Sequence, residues 1–95
     1  MKILVLEIEN NNINRDEFKK YGKEEAAKLW ELYKKGVVRE NYFSQDKNTA
    51  VLILETKDLE EAKAELSQLP FVKNKLITFE FIPLKPYSGM ERLFK

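Results

Sequence analysis

Four short apolar runs alternate with two segments whose apolar residues recur at helical spacing. The runs are rich in Ile, Leu, Val and aromatic residues, a composition typical of β-strands, and they span residues 2–8, 37–43, 49–55 and 75–84. Residues 15–35 and 59–68 carry apolar residues three or four positions apart, which predicts two amphipathic helices. The predicted order of elements is therefore β-α-β-β-α-β, followed by a tail over residues 85–95.

The ends of the two predicted helices carry recognisable capping residues. Asn14 followed by Glu17 resembles a capping box at the start of the first helix. Gly36 stands just after the last helical residue, where a left-handed backbone is common. Asp58 predicts the start of the second helix, and Pro70 predicts its end, because proline cannot continue a helix.

This order of elements predicts a ferredoxin-like α+β fold. Right-handed crossovers interlock the two β-α-β halves into a four-stranded antiparallel sheet of strand order 4-1-3-2. The first and third strands are the most uniformly apolar, as central strands should be, whereas Arg39 and Glu80 fall in the predicted edge strands. No linker is long enough to divide the chain. Residues 1–95 are therefore expected to form one domain, with residues 85–95 as its C-terminal tail.

The two predicted central strands are apolar on both faces. Ile3 and Val5 alternate with Leu4 and Leu6, and the third strand repeats this pattern. Two helices cover only one face of a four-stranded sheet, and the open face of an antiparallel sheet is normally polar. We therefore expect a second copy of the chain to cover the open face, which predicts a homodimer or a higher homo-oligomer.

Composition narrows the classes of function. The 95 residues include 17 basic and 16 acidic side chains, and a net charge of +1 argues against a nucleic-acid partner. The chain has no cysteine, which excludes disulfides, thiol catalysis and cysteine-based metal sites, and no histidine, which is the commonest general base and metal ligand. Neither a metal nor another cofactor is expected. No segment resembles a signal peptide or a membrane span, which predicts a cytoplasmic protein without a membrane partner.

Several short motifs resemble the muconolactone isomerase-like group of the dimeric α+β barrel superfamily. The resemblance covers roughly residues 2–88 and implies a dimeric barrel with isomerase-type chemistry. Its motifs are a helix leading into Lys35-Gly36, Arg39 three residues after that glycine, an apolar third strand ending on Glu55, the Leu69-Pro70-Phe71 break, and Ile77 in a last strand that runs into a tail containing Pro86.

Arg39 is the leading candidate for a ligand-binding group, because the resemblance places it at the strand-two arginine of that family. Strand alternation predicts that it shares a face with Val37, Asn41 and Phe43. There its guanidinium would hold a ligand carboxylate or lactone carbonyl at the mouth of an apolar pocket. The alternative is an ordinary edge-strand charge that is solvated or paired with Glu55 or Glu7.

Glu7 and Glu55 are the candidate bases, since a desolvated carboxylate can abstract a proton next to a carbonyl. They end antiparallel neighbouring strands, so we expect them at opposite ends of the sheet, which argues against a mechanism that uses both. The alternative for each is a strand-end charge that reaches water or Arg39.

Aromatic side chains are candidates for the walls of a pocket that accepts a flat apolar ligand. Their alternative role is plain core packing, in which buried tyrosines need only one ordinary hydrogen-bond partner. These residues are Trp30, Tyr33, Tyr42, Phe79 and Phe81.

Three functions remain open from the sequence. The first is a cofactor-free isomerase that moves a proton on a small apolar lactone or aromatic-derived acid, with Arg39 holding the anion. The second is a non-catalytic small-molecule-binding or structural homodimer, which the departures from the family pattern favour. The isomerases carry histidines where this chain has Glu40 and Lys85. The third is a cofactor-independent monooxygenase-like barrel.

Overall fold

The computed structural model describes residues 1–95 and contains one four-stranded sheet with helices on one face. The elements are strand β1 (Lys2–Glu9), helix α1 (Arg15–Lys34), strands β2 (Val38–Phe43) and β3 (Ala50–Glu55), helices α2 (Leu59–Leu66) and α3 (Pro70–Lys73), strand β4 (Ile77–Pro83), and a 3₁₀ helix (Gly89–Phe94).

The strand order β2-β3-β1-β4 is the predicted order read from the other edge, and every neighbouring pair is antiparallel. The ferredoxin-like α+β prediction is therefore confirmed. Ile3 lies opposite Leu54 and Val5 opposite Leu52 at the centre of the sheet. No helix of the chain is long and apolar enough to cross a membrane.

The core lies between the helices and the face of the sheet that carries Ile3 and Val5. Its sheet side continues through Leu52 and Leu54, all at most 2% exposed. The helices supply side chains that complete this core, namely Leu32, Ala62, Leu66 and Leu69. Burial of these apolar side chains is the main stabilising contribution to a fold of this size.

The residues predicted to begin the two long helical segments are confirmed, but the capping box predicted from Asn14 and Glu17 does not form, since the Asn14 side chain accepts from Asp16 N. The Asn14 side chain accepts a hydrogen bond from Asp16 N, the Asp58 side chain accepts one from Glu61 N, and Gly36 adopts φ +88°. Helix α2 ends at Leu66, earlier than the predicted residue 68 and four residues before Pro70, and Pro70 instead begins the four-residue helix α3. Proline suits this first position because the missing N–H has no acceptor there.

A β-bulge interrupts the pairing of β2 with β3 at Arg39. Val38 lies opposite Leu54 and Glu40 opposite Ile53, so Arg39 has no partner residue on β3. The bulge breaks the simple alternation that the sequence predicts from Val37 onward, and it allows Val38 to enter the core at 1% exposure.

The second face of the sheet has no helix over it. Its side chains are half-buried or exposed, and the apolar ones come from three strands: Leu4, Leu6, Ile8, Val51, Ile53 and Ile82. We call this set the open face. The tail is exposed as well, since Tyr87, Met90, Leu93 and Phe94 are all at least 63% exposed.

Candidate functional site

A cleft opens between α1 and the β2 edge of the sheet. Its outer part has a volume of about 440 Å³ and is lined by Ala26, Leu29, Trp30, Tyr33 and Asn41. The Trp30 and Tyr33 rings stack with centroids 5.6 Å apart and an interplanar angle of 20°. They lie one helical turn apart on α1, so both rings project from the same side of the helix.

A second hollow of about 270 Å³ adjoins the first and shares Leu29 and Asn41 with it. Its remaining lining comes from β2 and β3, namely Tyr42, Phe43, Ala50 and Leu52. We refer to the two hollows together as the α1–β2 cleft. Most of its lining is apolar, and the Asn41 amide is a hydrogen-bonding group common to both hollows.

Glu7 carries its carboxyl group on the helix-covered face of the sheet, the same face as Val5, which lies two residues earlier on β1. Its Oε1 accepts a hydrogen bond of 2.9 Å from the N–H of Ala50, a residue that lines the cleft. Burial raises the pKa of the Glu7 carboxyl above its usual value. The Ala50 N–H opposes this shift, the charge of Glu9 adds to it, and Arg15 opposes it.

Glu25 is a second half-buried carboxyl group, which the sequence analysis did not single out. Its Oε1 accepts a 2.9 Å hydrogen bond from Phe71 N at the start of α3. Burial raises its pKa, the Phe71 N–H opposes that shift, and the negative charge of Glu7 raises the pKa further. Position 25 follows Phe18 by seven residues and precedes Leu29 by four. A glutamate on this apolar stripe was therefore a readable signal.

Arg39 lies near the C-terminal end of α1. Its Nε donates a 2.7 Å hydrogen bond to the carbonyl of Gly36, and no carboxylate lies within 4.0 Å of the guanidinium. Arg39 lies two residues before Asn41, which lines both hollows, but Arg39 itself lines neither of them.

Glu55 and Glu7 lie at opposite ends of the central strands, as the sequence predicts. Glu55 neighbours Lys2 in the β1–β3 register, whereas Glu7 lies near Ala50. The Glu55 carboxylate is 2.6 Å from the amino group of Met1, which lowers its pKa, and the charges of Arg39 and Lys2 lower it further. A carboxylate stabilised in this way is a weak base.

The five candidate wall residues are divided between the two edges of the sheet. Trp30, Tyr33 and Tyr42 border the α1–β2 cleft, and the Tyr42 hydroxyl donates a 2.7 Å hydrogen bond to Glu40. Phe79 and Phe81 instead border a hollow of about 130 Å³ between β4 and α2. They also pack against the buried core. No group of three or more acidic side chains is arranged to hold a metal ion.

No protein-family model and no curated protein sequence matches the chain. Among solved structures, muconolactone isomerase is similar with a TM-score of 0.75 and 14% identity, covering 94% of this chain and 93% of that one. A 5-chloro-2-hydroxyhydroquinone dehydrochlorinase from Burkholderia phenoliruptrix AC1100, in complex with 2,5-dihydroxybenzoquinone, is similar with a TM-score of 0.73 and 16% identity, covering 94% and 98%. The chain therefore has the fold of muconolactone isomerase, as the resemblance in its sequence predicts.

Proposed function

We propose that the chain is a cofactor-free protein that binds a small apolar lactone or aromatic-derived acid in the α1–β2 cleft and transfers a proton on it. The carboxyl group of Glu7 carries this proposal. It lies on the helix-covered face, accepts a hydrogen bond from the N–H of Ala50, which lines the cleft, and has a pKa raised by burial. The Glu7 side chain itself borders the adjoining recess that Glu9 and Thr49 also line. Raising a carboxyl pKa toward neutrality makes its anion a stronger base while leaving it ionised.

The cleft supplies the other groups that such a reaction needs. The stacked rings of Trp30 and Tyr33 form an apolar wall for a flat ligand, and the Asn41 amide can donate to a carbonyl oxygen. In this proposal Arg39, two residues before Asn41, holds a ligand carboxylate that extends beyond the cleft. The two structural neighbours are both named for small oxygenated cyclic compounds, which supports this substrate class.

In the proposed reaction the Glu7 carboxylate removes a proton from a carbon next to the ligand carbonyl. The electron pair of the broken C–H bond moves into the carbonyl, which becomes an enolate stabilised by Asn41. Return of a proton to a conjugated carbon then gives the isomer, so that no oxidant, reductant or cofactor is consumed.

Exchange of ligand hydrogens with solvent tests this function. A panel of lactones, aromatic acids and phenols is incubated with the protein in D₂O and followed by proton NMR. Deuterium incorporation next to a carbonyl, with or without isomerisation, is the expected result. Binding without exchange would identify a non-catalytic binding protein, and oxygen uptake with a phenol would indicate monooxygenase-type chemistry. Either would reject the proton-transfer function.

Replacement of Arg39 by alanine is expected to weaken carboxylate ligands selectively. A charge-assisted hydrogen bond contributes about 1.5–3 kcal/mol, so the affinity for an aromatic acid should fall about tenfold or more. The methyl ester of the same acid is the matched control, and its affinity should be unchanged. If the wild type and Arg39→Ala bind the acid equally and Arg39→Ala has a lower melting temperature, Arg39 has a structural role, in which it stabilises the turn at Gly36.

The proposed assembly is a homodimer in which two open faces pack together. The open face offers apolar side chains from three strands, and Ile8 is 49% exposed in the single chain. Contiguous apolar surface of this kind usually marks an interface between proteins. A two-fold dimer covers both copies of the same face with one contact and gives a barrel of two sheets.

A further inference from the structure

Most of the large apolar side chains that stay exposed belong to two sets, one at each edge of the sheet. The first set borders the α1–β2 cleft, where Trp30 is 57% exposed and Phe43 is 69% exposed. The second set follows β4, which is the opposite edge strand. Its members are Leu84, Tyr87, Met90, Leu93 and Phe94. Exposed apolar groups of this size usually mark surfaces that another molecule covers.

The tail does not pack on the chain that carries it. Leu84 N still donates a 2.9 Å hydrogen bond to Lys2 O, but every residue after it is exposed except Gly89, which lies against the Tyr87 ring of the tail itself. The longest dimension of the chain is 57 Å, whereas the 20 residues of α1 are about 30 Å long, so the tail projects beyond the sheet and helices. A 3₁₀ helix of six residues is unusually long and needs a surface to pack on.

The α1–β2 cleft, in turn, lacks an outer wall in the single chain. Leu29 and Leu52 line its inner side, but about half of the Trp30 and Tyr33 side chains faces solvent. A small-molecule site usually buries about 70–90% of the ligand surface. A ligand stacked on the Trp30–Tyr33 pair therefore needs a further apolar surface over it.

A two-fold axis that runs parallel to the strands, between two open faces, brings the two sets together. Rotation about this axis keeps the strand direction and exchanges the sheet edges, so β4 of one copy lies over β2 of the other. The tail leaves β4 at Pro83, opposite Ile3, and β2 begins at Val38, opposite Leu54, which also pairs with Ile3. The tail of one copy therefore emerges beside the start of β2 in the other copy.

The connection to the 3₁₀ helix is long enough to reach that edge. Residues 84–88 have no regular structure and span about 16 Å when extended, whereas stacked sheets lie about 10 Å apart. A two-fold axis across the strands would instead place β4 over β4 and leave the cleft uncovered. Only the axis along the strands covers both exposed sets with one repeated contact.

We infer that the α1–β2 cleft is a composite site, closed in each copy by the tail of the other copy. This inference rests on the proposed function of the cleft and on the proposed packing of the open faces. Leu93 and Phe94 of one copy supply the outer apolar wall over Trp30 and Tyr33 of the other. The inner part of the cleft stays free for the ligand, and a dimer holds two such sites.

Acrylamide quenching of Trp30 fluorescence tests the composite site without any ligand, since Trp30 is the single tryptophan. In Leu93→Ser/Phe94→Ser, Trp30 should be quenched more strongly than in the wild type, and its emission should shift to longer wavelength. Glu91→Ser/Lys95→Ser is the matched control, because it changes two exposed tail residues, removes no apolar side chain and keeps the net charge. Equal quenching in the wild type and Leu93→Ser/Phe94→Ser would overturn the inference.

Ile53→Lys, which replaces an apolar residue of the open face, tests whether the tail comes from the second copy. Sedimentation identifies the monomer, and its tail is intact. Trp30 in this monomer should be quenched as strongly as in Leu93→Ser/Phe94→Ser. Weak quenching, as in the wild type, would mean that the tail covers the cleft of its own chain and would overturn the exchange between copies.

Ligand binding separates this inference from the proposed function. An aromatic acid that binds the wild type should bind Leu93→Ser/Phe94→Ser more weakly and Glu91→Ser/Lys95→Ser equally well. If no compound binds or exchanges hydrogen, the proposed function fails, and the quenching still decides whether the tail closes the cleft. Hydrogen exchange together with equal quenching in all variants would overturn the composite site and leave the proposed function standing.

Discussion

Glu7→Gln is expected to lower the rate of proton transfer by about 10²–10⁴-fold, the usual contribution of a general base. The substitution removes the basic oxygen but keeps the size of the side chain and an acceptor for Ala50 N. Ligand affinity should therefore change little. The rate is measured as deuterium incorporation into the bound ligand at saturating concentration, so that weakened binding is not mistaken for lost chemistry.

Glu9→Gln is the matched control, because Glu9 lies two residues further along β1 and its carboxylate is held by Arg15. Loss of that ion pair should cost little stability, since exposed pairs contribute about 0–1 kcal/mol. The rate of proton transfer by Glu9→Gln should stay within a few-fold of the wild-type rate, because the substitution only removes a negative charge near Glu7. A Glu7→Gln protein as active as Glu9→Gln would exclude Glu7 as the base.

Ile53→Lys is expected to convert the proposed homodimer into a monomer. Ile53 lies near the centre of the open face, opposite Leu4 and Glu40 in the register of the sheet. A lysine there would bring two like charges into the packed interface, and burial of unpaired charge costs several kcal/mol. Sedimentation equilibrium at micromolar concentration should give the mass of two chains for the wild type and of one chain for the variant.

The folded state of the variant is checked by circular dichroism, because the open face of a single chain is accessible and a lysine there is tolerated by the monomer. Ala27→Lys, at an exposed position of α1, introduces the same charge away from the open face and should remain dimeric. A wild-type protein that sediments as a monomer would contradict the proposed assembly.

Most of the fold could be predicted because its signals are local. Apolar periodicity located the four strands and two long helices, and Asn14, Gly36 and Asp58 located their ends. Helix α3 escaped prediction because four residues are too few to show a period. The bulge at Arg39 was not predicted, because no glycine or proline lies at that position and the bulge arises from the pairing of β2 with β3.

The candidate site was less predictable, since it depends on which elements lie across from one another. Glu7 could be recognised as a carboxyl group ending an apolar strand, but its hydrogen bond with Ala50 N depends on how β1 and β3 pair, and the half-buried Glu25 on α1 was not recognised. Phe79 and Phe81 could have been separated from the cleft, because strand order 4-1-3-2 already places β4 and β2 at opposite edges of the sheet.

Binding of a small apolar molecule in the α1–β2 cleft should change the fluorescence of Trp30. Trp30 is the single tryptophan of the chain and lines the outer part of the cleft. We would titrate its fluorescence with lactones, aromatic acids and phenols in the wild type, in Ala26→Leu, which narrows the cleft, and in Ala27→Leu, which does not line it. Saturable change in the wild type and Ala27→Leu, weakened in Ala26→Leu, is the predicted result. Absence of a saturable change with every compound, or equal binding by both leucine variants, would show that the α1–β2 cleft is not the binding site.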